Sequence, residues 1–209
     1  MKHRRRRGEG GGSVLERVQS FGVACSPEQA NALVAFESLL RDRAIPLGLI
    51  APSDAGRLLE RHVLDSVRAA AAIEPADREV ADIGSGAGLP GIPVAVVLPR
   101  VRVSLVEPRR RAVGFLELAL ERLGLTNAQV LAERVERLRG EFDVCLARAF
   151  GPIDRTWRVA APILRPSGRL VFFGGRGYRP PPSLPNAIAR VLQTPVVESS
   201  GPLVIMSRQ

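Results

Sequence analysis

The sequence predicts an α/β fold of Rossmann-like type: a seven-stranded, mostly parallel sheet with helices on both faces, preceded by a helical extension. Three observations lead there. From Glu79 onward, short apolar runs alternate with helix-compatible runs in the βαβ manner. The stretch A-D-I-G-S-G-A-G-L-P-G-I-P at residues 81–93 places four glycines in eight positions, where the first strand must turn into a helix. An apolar run at 101–106 then ends on Glu107, twenty-three residues after Gly84, close to the spacing of about 20 expected of an acidic residue closing the second strand.

The elements follow in chain order. Residues 1–13 are basic, then glycine-rich, and read as a disordered tail. Residues 14–75 form the helical extension and 76–209 the Rossmann-like domain, the two making one structural unit. In the extension, Ser26 caps a helix over 27–43 with Pro27 at its first position, and Ala30, Leu33, Val34, Phe36, Leu39 and Leu40 recur at near-helical spacing. Residues 45–52 read as a proline-bounded extended linker. Ser53 or Asp54 then caps a second helix running to about residue 72, with Leu58, Leu59, Val63 and Val67 inside and Arg57, Glu60, Arg61, Asp65 and Arg68 outside. These two helices are expected to cover one edge of the sheet. Strands are expected at 79–83, 101–106, 129–131, 142–147, 169–173, 195–198 and 203–206, and helices at 92–98, 109–123, 135–138, 153–164 and 184–192. The glycine- and proline-rich segment 174–185 reads as a long loop after the fifth strand, where such sheets often place substrate-binding elements.

At the strand-to-helix junction, Gly84, Gly86 and Gly88 can adopt positive φ and carry no Cβ, so a ligand can approach the main chain and the helix amino terminus. A dinucleotide fingerprint would need glycine where Leu89 stands; here the third glycine comes one residue early. A G-x-G-x-G turn preceded by an acid, Asp82, resembles the first motif of class I S-adenosylmethionine-dependent methyltransferases. There the acid receives the methionine ammonium directly or through water. Glu107 is placed to accept ribose hydroxyls. The competing readings are a glycine loop that serves packing alone and a surface glutamate before Pro108. Seven strands with the last one antiparallel suit the same class.

Composition narrows the classes further. Cys25 and Cys145 stand far apart, which gives neither a metal-ligand spacing nor a disulfide framework. No apolar run reaches the roughly 18 residues of a membrane span, and the basic start is not followed by a signal-type apolar stretch, so no membrane association and a cytoplasmic location are expected. The formal charge is +9, of which Lys2 and Arg4 to Arg7 supply five positive charges. Lys2 is the only lysine beside twenty-nine arginines, a composition that suggests a GC-rich genome as much as a polyanionic partner. The tail either steers a polyanion or is a solvated extension. A nicotinamide-dependent dehydrogenase is excluded by the glycine spacing and by the lack of a Tyr-x-x-x-Lys pair, since Tyr178 is the one tyrosine.

Four blocks resemble the bacterial 16S ribosomal RNA guanine-N7 methyltransferases, the glucose-inhibited division protein B family. They are R-H-V-L-D-S from Arg61, D-I-G-S-G-A-G-L-P-G-I-P from Asp82, R-R-R-A-V-G-F-L from Arg109 and F-D-V-C-L-A-R-A-F from Phe142. The resemblance implies S-adenosylmethionine as methyl donor, no metal, 16S rRNA or the small ribosomal subunit as partner, and a monomer. It implies donor contacts at Gly84, Leu89, Glu107, Pro108, Arg109, Val135, Glu136 and Arg148, beside Asp82, Gly86 and Gly88 of the motif. Arg148 could instead bind the donor's carboxylate or an RNA phosphate, or form an ion pair with Asp143 or Asp154. Arg61, His62, Asp65 and Ser66 read as a helix face on the substrate side.

Guanine N7 carries an in-plane lone pair and no proton, so direct in-line transfer needs no base, and the enzyme's share is positioning and removal of water. His62 and Arg148 are the catalytic candidates, with plain helix packing the alternative for His62. The chain departs from the family's common pattern at Gly48, where many members carry asparagine, and at Gly174, where lysine is frequent. Two other classes stay open: a methyltransferase acting on a small molecule or protein, and a noncatalytic ribosome-binding relative.

Overall fold

The computed structural model describes residues 12–181, 186–195, 197 and 200–209. Ser13, expected in the tail, is the N-cap of helix α1 (Val14–Ser20): its Oγ accepts from the Glu16 amide while the Glu16 carboxylate accepts from the Ser13 amide. The rest of the expected disordered tail, residues 1–11, lies outside the described residues. Helix α1 has no counterpart in the sequence reading, because seven residues hold too few apolar positions to show a period. Helix α2 (Pro27–Leu39) starts at Ser26 with a reciprocal Ser26/Gln29 box, and a π-helical turn, Leu40–Ala44, extends it to nearly the expected end.

The second expected helix is broken into pieces. A 3-10 segment (Pro52–Arg57) is followed by a π-helical segment (Leu58–Leu64), the short α3 (Asp65–Val67) and another 3-10 segment (Arg68–Ala72). Neither Ser53 nor Asp54 caps it: the N-cap is Ala51, and Pro52 opens the first turn. The register change also alters its outer face. Asp65 and Arg68 are buried, because Arg68 donates to Asp65, to Thr194 and to the Gly201 carbonyl instead of facing water. Between α2 and this stretch the chain makes turns, not an extended linker, with Gly48 at φ 69°. Glycine, with no Cβ, takes that left-handed conformation without steric penalty.

Seven strands among the described residues form one sheet: β1 (Glu79–Ile83), β2 (Arg102–Val106), β3 (Ala128–Leu131), β4 (Phe142–Arg148), β5 (Leu164–Phe173), β6 (Ala187–Leu192) and β7 (Leu203–Arg208). Their order is β3-β2-β1-β4-β5-β7-β6, with β1 to β5 parallel and β7 antiparallel to both neighbours. Two expectations at the carboxyl end are corrected. Residues 187–192, read as helix, are strand β6, because they pair in register with β7 from Ala187 to Leu192. Of the strand expected over 195–198, Pro195 and Val197 are irregular, and the remaining two residues lie outside the described ones.

Period-two alternation divides the interior. Val80, Val103, Leu105, Val144, Leu146 and Val171 face a core shared with α4 (Gly91–Val97), α5 (Arg110–Leu123) and the amino-terminal helices. Ala81, Ile83, Val106, Cys145, Leu170 and Phe172 face a second core closed by Ile153, Trp157 and Ala160 of α6 (Ile153–Ala160). The extension therefore packs on a face of the sheet, against α4 and α5, and not along an edge. Strand order reverses between β1 and β4, so the carboxyl ends of those strands open the crevice where ligands bind in sheets of this kind.

Candidate functional site

The glycine turn is built from the backbone. The Gly84 and Ser85 amides donate to the Val106 carbonyl at 2.8 and 3.1 Å, tying the turn to the end of β2, and the Ser85 carbonyl accepts from Gly88 and Leu89. Gly84, Gly86 and Gly88 have φ of 73°, 55° and 79°, and the Leu89–Pro90 peptide is cis. Their surroundings separate their roles. A Cβ on Gly88 would strike Ile92, and one on Gly84 would stand 2.7 Å from the Phe150 ring, whereas on Gly86 the nearest atom is Arg109 Nη2 at 3.7 Å. Gly88 serves packing, while Gly84, against Phe150, and Gly86 both line the cleft.

Two buried carboxylates flank the turn. Asp82 lies beneath it: Oδ2 accepts from the Gly91 amide at the start of α4, and Oδ1 is buried with no hydrogen-bond partner among the described residues. Burial pushes its pKa up to about 7 against the bond from Gly91. Glu107 is bonded completely. Its Oε1 accepts from the Arg109 amide and Nε, both at 2.9 Å, and Oε2 from the Gly86 amide at 3.0 Å and Arg109 Nη2 at 3.2 Å. Burial works to raise its pKa, but the Arg109 side chain and the two amides outweigh it and hold it below the ordinary value. A carboxylate has about four acceptor sites. All are filled here, two of them by the exposed side chain of Arg109.

Opposite the turn stands a wall joined by side chains. From the end of β4, Arg148 reaches the 61–66 segment: Nη1 donates to the His62 carbonyl at 3.1 Å and Ser66 Oγ at 3.0 Å, and Nη2 to the Arg61 carbonyl at 2.9 Å and His62 Nδ1 at 3.0 Å. It also lies over the Phe173 ring, 6.0 Å from its centroid. The ion pair considered for it with Asp143 or Asp154 does not form. Asp143 pairs with Arg165 and Asp154 with Arg158, while Arg148 has Asp65 at 3.9 Å as its nearest carboxylate among the described residues. Burial lowers the Arg148 pKa. His62 Nε2 meets Asp54 Oδ2 at 3.0 Å, and burial followed by the Arg148 charge lowers the imidazole pKa, with Asp54 opposing.

Turn and wall enclose a cleft of about 560 Å³. It brings together Arg61, His62, Asp65, Gly84, Gly86, Leu89, Arg109 and Arg148 from the sequence reading. Ser66 lies behind, bonded to Arg148. Asp82, Gly88 and Glu107 form the support beneath and beside the turn, and Pro108 is exposed and does not line the cleft. Val135 is buried in the second core and Glu136 is exposed, in a single 3-10 turn after β3, and neither lines the cleft. Asp54, Phe173, Gly174 and Arg176 line it as well. Sequence reasoning missed Asp54 because it sat at an expected helix start, where capping explains any aspartate. At Gly174 a Cβ would press on Tyr178 and the Pro202 carbonyl, so a lysine there would displace this loop.

Residues 29–180 match the sequence model of a family described as GidB, rRNA small subunit methyltransferase G. Among relatives named Ribosomal RNA small subunit methyltransferase G, the Mycobacterium leprae (strain TN) protein is 40% identical over 150 residues, covering 69% of this chain and 60% of the relative. That of Nocardioides sp. (strain ATCC BAA-499 / JS614) is 41% identical over 142 residues, covering 67% and 56%. The chain thus spans about three fifths of the length of these curated relatives. Among solved structures, mitomycin 7-O-methyltransferase MmcR superposes with a TM-score of 0.59 at 17% identity, covering 95% of this chain and 74% of that one. A mutant of MtNAS in complex with S-adenosylmethionine gives 0.56 at 18% identity, covering 93% and 76%. Both share the fold.

Proposed function

Since the chain belongs to the GidB family of small-subunit rRNA methyltransferases, we propose that its cleft transfers a methyl group from S-adenosylmethionine to N7 of a guanine in 16S ribosomal RNA. The observation that carries this reading is the meeting, in one cleft, of the glycine turn with the Arg61, His62, Asp65 and Arg148 wall. The residues fit the donor. Gly86 lines the cleft with a left-handed main chain and no Cβ, Glu107 stands just after β2, and Asp82 keeps one buried oxygen unpartnered among the described residues. The cleft is also of the size that holds a ligand of this kind.

When bound, S-adenosylmethionine supplies an electrophilic methyl on a sulfonium; the N7 lone pair forms the new N–C bond as the C–S bond breaks. No proton moves, so the chain's residues orient and exclude water. Leu89 packs on the donor, Gly86 allows close approach, and Glu107 accepts ribose hydroxyls once Arg109 swings away. Val135 and Glu136 are assigned to the adenine, which would have to reach beyond the cleft towards the turn after β3. The Arg61 to Ser66 wall shapes the acceptor side, and the exposed arginines at its mouth, Arg61 and Arg176, suit an RNA backbone. A single guanine in folded RNA has to be unstacked or already exposed to enter. A monomer in the cytoplasm suits this role. Incubation with labelled S-adenosylmethionine and 16S RNA or small subunits, followed by cleavage mapping at 7-methylguanosine, is expected to give one labelled guanine. Label in protein or a small molecule, with none in RNA, would overturn the reading.

A further inference from the structure

The two nitrogens of His62 are held by partners of opposite character, and this settles where its proton sits. A guanidinium can only donate, so Arg148 Nη2 at 3.0 Å requires Nδ1 to be an unprotonated acceptor. The ring's proton is then on Nε2, donated to the Asp54 carboxylate at 3.0 Å. Asp54 is anchored in turn, with Oδ1 accepting from Arg57 Nη2 at 3.1 Å and ion-paired with Arg61 Nη1 at 3.4 Å. All four N–H bonds on the terminal nitrogens of Arg148 are thereby directed at the 61–66 segment.

We propose that Asp54 and His62 are positioning residues for methyl transfer: Asp54 fixes the Nε2–H tautomer of a neutral His62, whose Nδ1 then fixes Arg148 in the wall of the cleft. This rests on reading the cleft as the transfer site. His62 has no free lone pair with which to take a proton from a substrate, and the reaction releases none. A second proton on the ring would stand on Nδ1, facing a donor and a positive charge, and would break the link between β4 and the extension. The charged groups around the ring are Asp54 from the 52–57 turn, Arg61 beside it and Arg148 from β4; Asp65 and Asp82 lie near Arg148. The lowered His62 pKa agrees with this arrangement.

The test compares two isosteres of half the ring. Asparagine places an amide oxygen where Nδ1 stands, and glutamine reaches the position of Nε2. His62→Ala and His62→Gln are each expected to lose about tenfold or more in kcat for methylation of small subunits, as for a lost hydrogen bond to a charged group, while His62→Asn recovers the larger part of that loss. The chain holds two histidines, His3 and His62, so ¹H–¹⁵N imidazole spectra of the whole protein read the tautomer directly. The expected signal is Nε2–H at about pH 7.5, titrating below the ordinary imidazole value, and Asp54→Asn is expected to lower the His62 pKa further. An Nδ1–H ring or an imidazolium at that pH would overturn the proposal, as would His62→Gln outperforming His62→Asn. If no RNA is methylated but the ring is the neutral Nε2–H form, the functional reading fails and the Asp54–His62–Arg148 linkage stands. If RNA is methylated and the ring is otherwise, only the positioning role fails.

Discussion

The glycine turn and the helical wall face each other across one cleft and are held by different means. The turn is fixed by main-chain bonds to β2 and by three left-handed glycines, a conformation other side chains adopt only at a cost. The wall is fixed by side chains: Arg148 spans more than eighty residues of sequence to bond the irregular 58–72 stretch, and Asp54 and His62 hold it there. The turn thus draws its rigidity mainly from bonds to the neighbouring strand end, whereas the opposite wall depends on a few long-range side-chain bonds in a buried setting. Damage to the turn should show first as lost packing, and damage to the wall as lost activity.

The largest effect is expected at the wall. Arg148→Ala removes four hydrogen bonds and leaves Ser66 Oγ and His62 Nδ1 without their donor, so methyl transfer should fall by about a hundredfold or more, with about 2–4 kcal/mol lost in urea unfolding. Retained turnover would break the contrast. Next comes Gly88→Ala, which combines a left-handed φ with a Cβ driven into Ile92 and should lose roughly 2–4 kcal/mol. Gly86→Ala meets only the backbone penalty of about 1–2 kcal/mol while weakening donor binding more; calorimetry on both variants would separate packing from ligand approach.

Arg109 sharpens the comparison because its side chain bonds Glu107, the carboxylate that accepts from the Gly86 amide of the turn. Its two bonds occupy the acceptor sites on Glu107 that ribose hydroxyls need. Arg109→Ala is therefore expected to tighten S-adenosylmethionine binding by about three- to tenfold in titration calorimetry. Weaker binding would show that Arg109 contacts the donor itself.

The remaining effects are in pH dependence. Asp82 in the folded protein titrates at about 7 against an ordinary 3.8, so the native state holds a proton that the unfolded chain has released. The stability this confers is complete below the ordinary value and lost as pH rises through about 7. Asp82→Asn should gain on the wild type between about pH 4 and 7 and keep a constant lead above. His62 runs the other way: its lowered pKa gives stability present above about 6.5 and lost as pH falls. Denaturant midpoints across roughly pH 4 to 8 check both signs.

Legibility in the sequence followed the same division. Strands β1 to β5 and the turn were readable because alternation, glycine spacing and the acid closing β2 are short-range signals. Strand β1 falls on its expected residues and β7 is antiparallel as expected. Residues 187–192 misled because Ala187, Ala189 and Leu192 suit a helix locally, and only pairing with β7 decides otherwise. The wall was half readable. Arg61, His62, Asp65, Ser66 and Arg148 stood out by resemblance, but a change of helical type at Leu58 erased the period that would have shown Asp65 buried and Asp54 aimed at His62. Asp54 needs the third dimension.

The most direct test of the central claim is nucleoside mass spectrometry of small subunits incubated with the protein and methyl-deuterated S-adenosylmethionine, run beside Arg148→Ala. The expected result is 7-methylguanosine carrying three deuteriums in 16S RNA, about one per subunit, and its loss in the variant. Deuterium absent from RNA, or present on another nucleoside, would contradict the assignment of this cleft.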